Sequence, residues 1–489
     1  MILIDLTHNN VNPLYHQVIS EIKRLIDNGV LKPGEKLPST RSFAAQLGVN
    51  RATVYKAYEE LWALGYIESS PGSYSIVRDR VTLAEIPEKS TKNLINWDLA
   101  ANKKLINIEK LLSESFTEAA NANEINFLSL YPDPKLYPVE EFQKCFYSVL
   151  RKHGRDLLGY GDIKGYYPLR EFIANYLRKH GIQVTTSQIL ITNGIQNGLE
   201  LILKYLVHSD KKILIEKPSY SSALPLFHYY NDNVIEIPMS SDGIDLIALK
   251  KIADKENIAF LYTMPNFQNP TGITTSQDHR EKLIEICELY KIPIVEDGFE
   301  EEMKYFGKNI LPIKSIDKHN IVLYMGTFSK VLFPGLRIGW IAADEKCIQD
   351  MSLLKKIGET SGNCFDQGVI NQFCREGYYD KQIKRIQRVY KKRMMIALKE
   401  LREHCPLDLI DYYKPNGGYT IWFELKNNPI SESKLVTLLR KNGVVVSKGS
   451  NFSFSKLNKL SFRISIAHCD ELKIAEGIHK IISVIKSIN

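Results

Sequence analysis

Five short aliphatic runs punctuate the middle of the chain: Ile189–Thr192 (ILIT), Lys212–Glu216 (KILIE), Ile258–Thr263 (IAFLYT), Ile292–Glu296 (IPIVE) and Ile321–Met325 (IVLYM). None alternates polar with apolar, so none suits a sheet with one wet face. A strand that is apolar on both sides needs cover on both sides. Amphipathic stretches such as Gly198–Leu206 and Gln277–Tyr290 lie between several of the runs and can supply it. The pattern predicts an α/β fold built on a mainly parallel sheet.

With 489 residues the chain is too long for one small domain and long enough for two or three. Three textures separate along it. Residues 1–77 are compact, with short helical patterns and a terminal hairpin. Residues 78–96 (RDRVTLAEIPEKSTKNLIN) are polar, without a sustained period, and read as a linker. Residues 97–489 hold the α/β region. No internal repeat or low-complexity tract interrupts them.

Bulk chemistry excludes more than it selects. A net charge of +8, from 64 basic and 56 acidic residues, permits nucleic-acid binding without arguing for it. The seven cysteines are scattered and never spaced CxxC, so neither a disulfide framework nor a zinc site is expected. No apolar run approaches the ~18 residues of a membrane span. The opening MILIDLTHNN has no basic region before an apolar stretch. These readings place the protein in the cytoplasm, with no membrane partner and no metal.

In the first region, LYHQVISEIKRLID (14–27) sets Val18, Ile19, Ile22, Leu25 and Ile26 on one helical face. Pro33-Gly34 turns the chain, Ser39 can cap a short helix Thr40–Leu47, and Asn50 can cap a third helix Arg51–Leu64. Tyr66–Val77, with Pro71-Gly72 at its tip, completes the order of a winged helix-turn-helix. Such a unit puts the start of its third helix, with Asn50, Arg51 and Thr53, into the major groove. Lys36, Arg41, Arg51 and Lys56 are basic and no acidic residue lies among them, so charge concentrates where a phosphate backbone would run. The string PGEKLPSTRSFAAQLGVNRATVYKAYEELWALGYI resembles the GntR family of bacterial regulators. That resemblance implies DNA contacts by Arg41, Arg51 and Thr53, and a wing that Gly72 lets approach the minor groove.

The strongest chemical motif is TFSKVLFPGLRIGW, residues 327–340. Pyridoxal phosphate needs a lysine amine for its aldehyde and donors for its phosphate close by. Lys330 is the expected imine former, with Thr327 and Arg337 toward the phosphate. Four further pieces follow the order such a site needs. Gly194, Ile195 and Gln196 follow a strand and open a helix, whose N–H groups can bind phosphate. Tyr220, in EKPSYSS, can stack on the pyridine. Asn269, in NPTG, can bond the phenolic oxygen. Asp297 can pair with the ring nitrogen and keep it protonated.

From about residue 125 onward the chain resembles the class I/II, fold-type I aminotransferases in LGYGDIKGYYPLREFIANYL, NPTG, SKxxxPGLRIGW, PNGGYTIWFEL and FRISIA. The resemblance implies a large domain holding the cofactor and a smaller α+β domain from both ends of the region. It implies that Arg463 grips a substrate carboxylate and that Tyr160 reaches the phosphate of a neighbouring subunit, which requires a dimer. One departure stands out: where this family commonly has a phenol donor after the aspartate, this chain has Phe299. Losing that donor should raise the pKa of the internal aldimine and slow transamination.

The two halves together resemble the MocR subfamily of GntR regulators. That implies a head-to-tail homodimer that binds operator DNA and responds, through aldimine chemistry at Lys330, to pyridoxal phosphate itself or to a small amino compound. The rival readings are an aminotransferase with an accessory N-terminal domain, and a repressor whose large domain survives as a dimerisation scaffold.

Overall fold

A computed structural model describes residues 4, 6, 13–68, 74–79, 94–105, 108, 112, 119–208, 210–231, 233–427 and 430–488. The chain packs as two units, 1–101 and 102–489. Among the described residues no helix is long and apolar enough to cross a membrane.

In the first unit α1 (Leu14–Asp27), α2 (Thr40–Leu47) and α3 (Arg51–Ala63) precede a hairpin of β1 (Ile67–Glu68) and β2 (Ile76–Val77). The helical period of α1 buries Val18, Ile19, Ile22 and Ile26 against Phe43, Val54 and Leu61. Both expected caps form: Ser39 Oγ accepts from Ser42 N at 3.1 Å, and Asn50 Oδ1 from Ala52 N at 2.9 Å. Leu37 N donates to Ser75 O at 2.8 Å, stitching the turn before α2 to the hairpin. The hairpin tip expected at Pro71-Gly72 lies outside the described residues, as do most of residues 78–96.

The second unit is centred on an eight-stranded sheet. Its strands are β3 (Ile189–Thr192), β4 (Lys212–Lys217), β5 (Val234–Ser240), β6 (Gly243–Ile244), β7 (Ile258–Thr263), β8 (Ile294–Asp297), β9 (Val322–Thr327) and β10 (Gly339–Ala342). They lie in the order β3-β10-β9-β8-β7-β4-β5-β6. The five strands from β9 to β5 are parallel; β10 runs against both its neighbours, as β6 does against β5. The expected parallel core is thus present, in a sheet with three strands the apolar runs did not announce, β5, β6 and β10. Strand β8 starts at Ile294 rather than Ile292, because Pro293 has no N–H to give the ladder. Strand β9 runs on to Thr327 because Gly326 and Thr327 pair with Trp340 and Gly339.

A second, antiparallel sheet joins β11 (Ile410–Tyr412), β12 (Thr420–Leu425), β13 (Ser447–Lys448) and β14 (Ser461–Ser465), in the order β11-β12-β14-β13. Ile125–Asn126 pairs in parallel with Val444–Val445, so both ends of the region meet here.

Residues 128–137 are anchored to the long helix Tyr378–His404 by a buried ion pair, Arg393 Nη2 to Asp133 Oδ2 at 2.7 Å. Burial works against the Asp133 charge. The bonds from Arg393 and from Lys135 N nevertheless leave its carboxyl below the usual range. A carboxyl lowered in the folded state contributes stability above its unfolded pKa, which is lost as pH falls through the folded one. Asp133→Asn is therefore expected to cost about 3–5 kcal/mol at neutral pH by stranding Arg393. Denaturant unfolding at several pH values should show that penalty shrinking as the wild type is acidified.

Candidate functional site

Parallel strands present their carboxyl ends on one edge of a sheet, where α/β folds bind ligands. Here β3, β8 and β9 end at Thr192, Asp297 and Thr327. A cavity of about 350 Å³ opens beside them, within the range of small-molecule sites. Lys330, Asp297, Asn269, Tyr220, Thr327, Arg337, Ile195, Gln196 and Arg463 all line it.

The phosphate-like end is built from backbone. After β3 the chain turns at Gly194, with φ 83° and ψ 173°, and enters α4 (Ile195–Leu206), which has no side-chain cap. Those are dihedrals that essentially only glycine adopts. The first N–H groups of α4 are left to an anion, at the positive end of the helix. Arg337, itself left-handed at φ 51°, reaches over the turn and donates from Nη2 to Asn193 O at 3.2 Å. A Cβ on Gly194 would stand 2.7 Å from Arg337 Nη2. Thr327 Oγ1 accepts from Ser329 N at 3.1 Å, and Ser221, Ser222 and Ser329 add hydroxyls to the lining.

At the other end the cavity holds charge. Asp297 is 1% exposed; its Oδ2 accepts from Tyr262 Oη at 2.6 Å, while Oδ1 has no partner among the described residues. Burial pushes this carboxyl up to about 6, against the Tyr262 bond and the Lys330 charge. A cation at Oδ1 would favour its ionised form further. Lys330 Nζ donates to Leu130 O at 2.8 Å and lies 5.7 Å from the Phe299 ring centre. Burial draws its amine below the usual lysine value, and Glu300 opposes that shift.

Asn269 Oδ1 accepts from Arg463 Nη1 at 3.1 Å, leaving the buried Nδ2 as a donor without a partner among the described residues. Arg463, on β14, is more committed than expected. Its Nη2 donates to Leu128 O at 2.7 Å and to Ser447 Oγ at 2.8 Å. Only Nε and one hydrogen on Nη1 are left, and these do not form a parallel pair. A two-point grip on a carboxylate therefore requires Nη2 to release a protein contact. Burial lowers this guanidinium to about 10.

Two groups here were not foreseen. Tyr262 is one residue before the end of an apolar strand, and nothing local tells that its hydroxyl meets Asp297. Glu300 sits in the acidic run EDGFEEEM, a texture that ordinarily means a solvated face. It is instead 1% exposed, behind Lys330, and Tyr419 links the two, giving N–H to Glu300 Oε2 at 3.1 Å and O–H to Lys330 O at 2.9 Å. Glu300 Oε1 has no partner among the described residues, and burial pushes the carboxyl up to about 7. Tyr160 is not brought to the cavity by its own chain; it is 87% exposed. In the first unit Arg41, Asn50, Arg51 and Lys56 are exposed around the start of α3, Thr53 is half-buried, and Lys56 Nζ lies 4.0 Å from the Tyr15 ring centre.

The residues fit pyridoxal phosphate. A primary amine, an unpartnered carboxylate oxygen, an unpartnered amide donor and an uncapped helix N-terminus face one cavity of suitable size.

The family model of class I and II aminotransferases matches residues 130–481, and that of bacterial regulatory proteins of the gntR family matches residues 14–77. The chain belongs to the class I and II aminotransferase family and carries an N-terminal gntR-family domain, the MocR-type architecture. It is 31% identical to the uncharacterized HTH-type transcriptional regulator YdfD of Bacillus subtilis, over 97% of each chain. It is 35% identical to aromatic-amino-acid aminotransferase 1 of Thermococcus litoralis, over 73% of this chain and 86% of that one. The structure of LysN, an alpha-aminoadipate aminotransferase from Thermus thermophilus complexed with N-(5'-phosphopyridoxyl)-L-leucine, superposes with a TM-score of 0.73 at 28% identity. That match covers 81% of this chain and 99% of LysN.

Gly194→Ala tests the anion cradle. The substitution should cost about 1–3 kcal/mol of local strain and displace Arg337. Fluorescence titration with pyridoxal phosphate should show weakened binding, with thermal unfolding of the ligand-free protein lowered only slightly.

Proposed function

We propose that this protein is a cytoplasmic transcription regulator that reads operator DNA with its first unit and senses pyridoxal phosphate or a small amino compound with its second. The observation that carries the proposal is the convergence of Lys330 Nζ, Asp297 Oδ1, Asn269 Nδ2 and the bare N-terminus of α4 on one cavity, in a chain that begins with a gntR-family domain. The cofactor, when bound, supplies an aldehyde that condenses with primary amines and a ring that withdraws electrons.

Each residue then has a physical task. Lys330 would hold the cofactor through its amine, in competition with the amine of an effector. Asp297 Oδ1 holds a proton at the ring nitrogen, and Asn269 Nδ2 donates to the ring oxygen. Tyr220 covers a ring face. The N–H groups of Ile195 and Gln196, past the Gly194 turn, hold the phosphate with Thr327 and Arg337. Arg463 takes an anionic group of the effector by exchanging its contact with Leu128 or Ser447. Phe299 offers no hydroxyl to the ring oxygen, which disfavours turnover relative to binding. The exposed Tyr160 is available to a second copy in a head-to-tail homodimer.

Glu300 sets the fate of the displaced lysine. Once Asp297 serves the ring and Arg463 the effector, Glu300 remains as the counter-charge for Lys330. A lysine held as ammonium has no lone pair with which to remove a proton, which would favour exchange over turnover.

On DNA, Arg41, Arg51 and Lys56 neutralise phosphates and Asn50 and Thr53 face base edges, while Gly72, the expected wing-tip contact, lies outside the described residues. Arg51→Ala should weaken binding to the chain's own promoter region and lower the salt slope by about 1.

Absorbance spectroscopy tests the sensor. Protein with pyridoxal phosphate should show a visible band that Lys330→Ala abolishes and that one amine shifts without sustained keto-acid release. Absence of a Lys330-dependent band would overturn the cofactor assignment. Sustained keto-acid production at enzyme-like rates would favour an aminotransferase with an accessory N-terminal domain, the reading that the Thermococcus litoralis likeness supports. Glu300→Gln should release Lys330 from its counter-charge and raise residual keto-acid formation about tenfold, the equivalent of about one pKa unit. An unchanged rate would remove Glu300 from this role.

A further inference from the structure

Away from the cavity, two helices of the second unit bring three metal-binding side chains together. Glu400 and His404 stand one turn apart, on one face of the long helix Tyr378–His404. His479 comes from the last helix, Glu471–Ile488. The two helices share a core in which Ala397 and Leu401 of the first and Ile474, Ile478 and Ile481 of the second are all buried. Their spacing is therefore set by packing, and the three polar groups ride on a fixed frame.

The donors converge on one point. Glu400 Oε2 lies 2.8 Å from His479 Nε2 and 3.6 Å from His404 Nε2, and all three ligand atoms fall within 4.8 Å of one another. The two imidazole rings are 4.6 Å apart, tilted by 47°. Around a tetrahedral zinc-class ion with bonds of about 2.0–2.1 Å, neighbouring donors stand roughly 3.4 Å apart. A hydrogen bond accounts for the shorter contact alone. The 3.6 Å contact, an ion-pair distance between residues one helical turn apart, is also close to the spacing an ion imposes. Sub-ångström adjustments of exposed side chains would complete the set.

We infer that Glu400, His404 and His479 form a binding site for a divalent transition-metal ion of the zinc class. Two imidazole nitrogens and one carboxylate oxygen are the donor types such ions take, and water can fill the remaining position. A pair of ligands one helical turn apart, completed from a neighbouring helix, pins the C-terminal helix to the long one. An ion bound only by the folded state stabilises it by mass action. This site is separate from the cofactor cavity and does not depend on the assignment made there.

The test uses the tag-free, full-length, cofactor-loaded protein after chelator treatment and dialysis. Calorimetric titration with zinc chloride should show saturable binding of one ion per chain, together with a rise in the thermal midpoint. His479→Ala and Glu400→Gln should each weaken binding at least tenfold and remove the rise. Two results would overturn the inference. One is the absence of saturable binding at one ion per chain. The other is wild-type binding in the His404→Ala/His479→Ala double variant, which would assign the ion to other groups such as the chain's seven thiols.

Discussion

Asp297, Glu300 and Arg463 are each costly to bury alone, and the second unit buries all three, with a half-buried Lys330, around one cavity it must keep open. The cost is met by pairing and by hydrogen bonds. Tyr262 serves Asp297, Tyr419 serves both Glu300 and the Lys330 backbone, and Asn269, Ser447 and Leu128 serve Arg463. The balance is incomplete: one oxygen of Asp297, one amide nitrogen of Asn269 and one oxygen of Glu300 have no hydrogen-bond partner among the described residues. A charged, aromatic ligand completes it. The sheet explains how these groups meet. Strands β8 and β9 lie side by side in parallel, so Asp297 and the 327–337 segment emerge from the same edge. Antiparallel β10 then carries the chain back past the Gly194 turn.

What could be read in advance follows from where the information lies. Ile189–Thr192 and Ile258–Thr263 match the strands at both ends because a continuous apolar run is a local signal of burial. Lys330, Arg337, Asn269 and Asp297 were legible because they occupy strand ends and tight turns with unusual composition. Strand β10 is not, because Gly339 and Trp340 close the motif TFSKVLFPGLRIGW and the strand has no run of β-branched residues to announce it. Glu300 and Tyr262 were hidden for a different reason. Burial and partnership belong to the fold, and an acidic run or a strand-terminal tyrosine looks the same wherever it packs. The commitment of Arg463 to Leu128 and Ser447 is equally non-local, since residues far apart in sequence supply its acceptors.

The same distinction separates the two recognition surfaces. The first unit carries its signal openly: caps, turns and basic residues are contiguous in sequence, and the expected helices form within one residue at each end. The Glu400, His404 and His479 cluster is the opposite case. The scattered cysteines had argued against a metal site, and only the packing of the last helix on the long one assembles a different donor set.

Sensing by the second unit on behalf of the first, as proposed, requires that the two sites be coupled, and coupling is reciprocal. The most direct measurement is the affinity of full-length protein for a fragment of its own promoter region, at fixed salt, in three states: cofactor-free, loaded with pyridoxal phosphate, and loaded with an amine that shifts the absorbance band. One of these transitions is expected to change the affinity by about fivefold or more, and Lys330→Ala to abolish the change. Equal DNA affinity in all three states, in a protein whose Lys330-dependent band still shifts, would contradict the coupling.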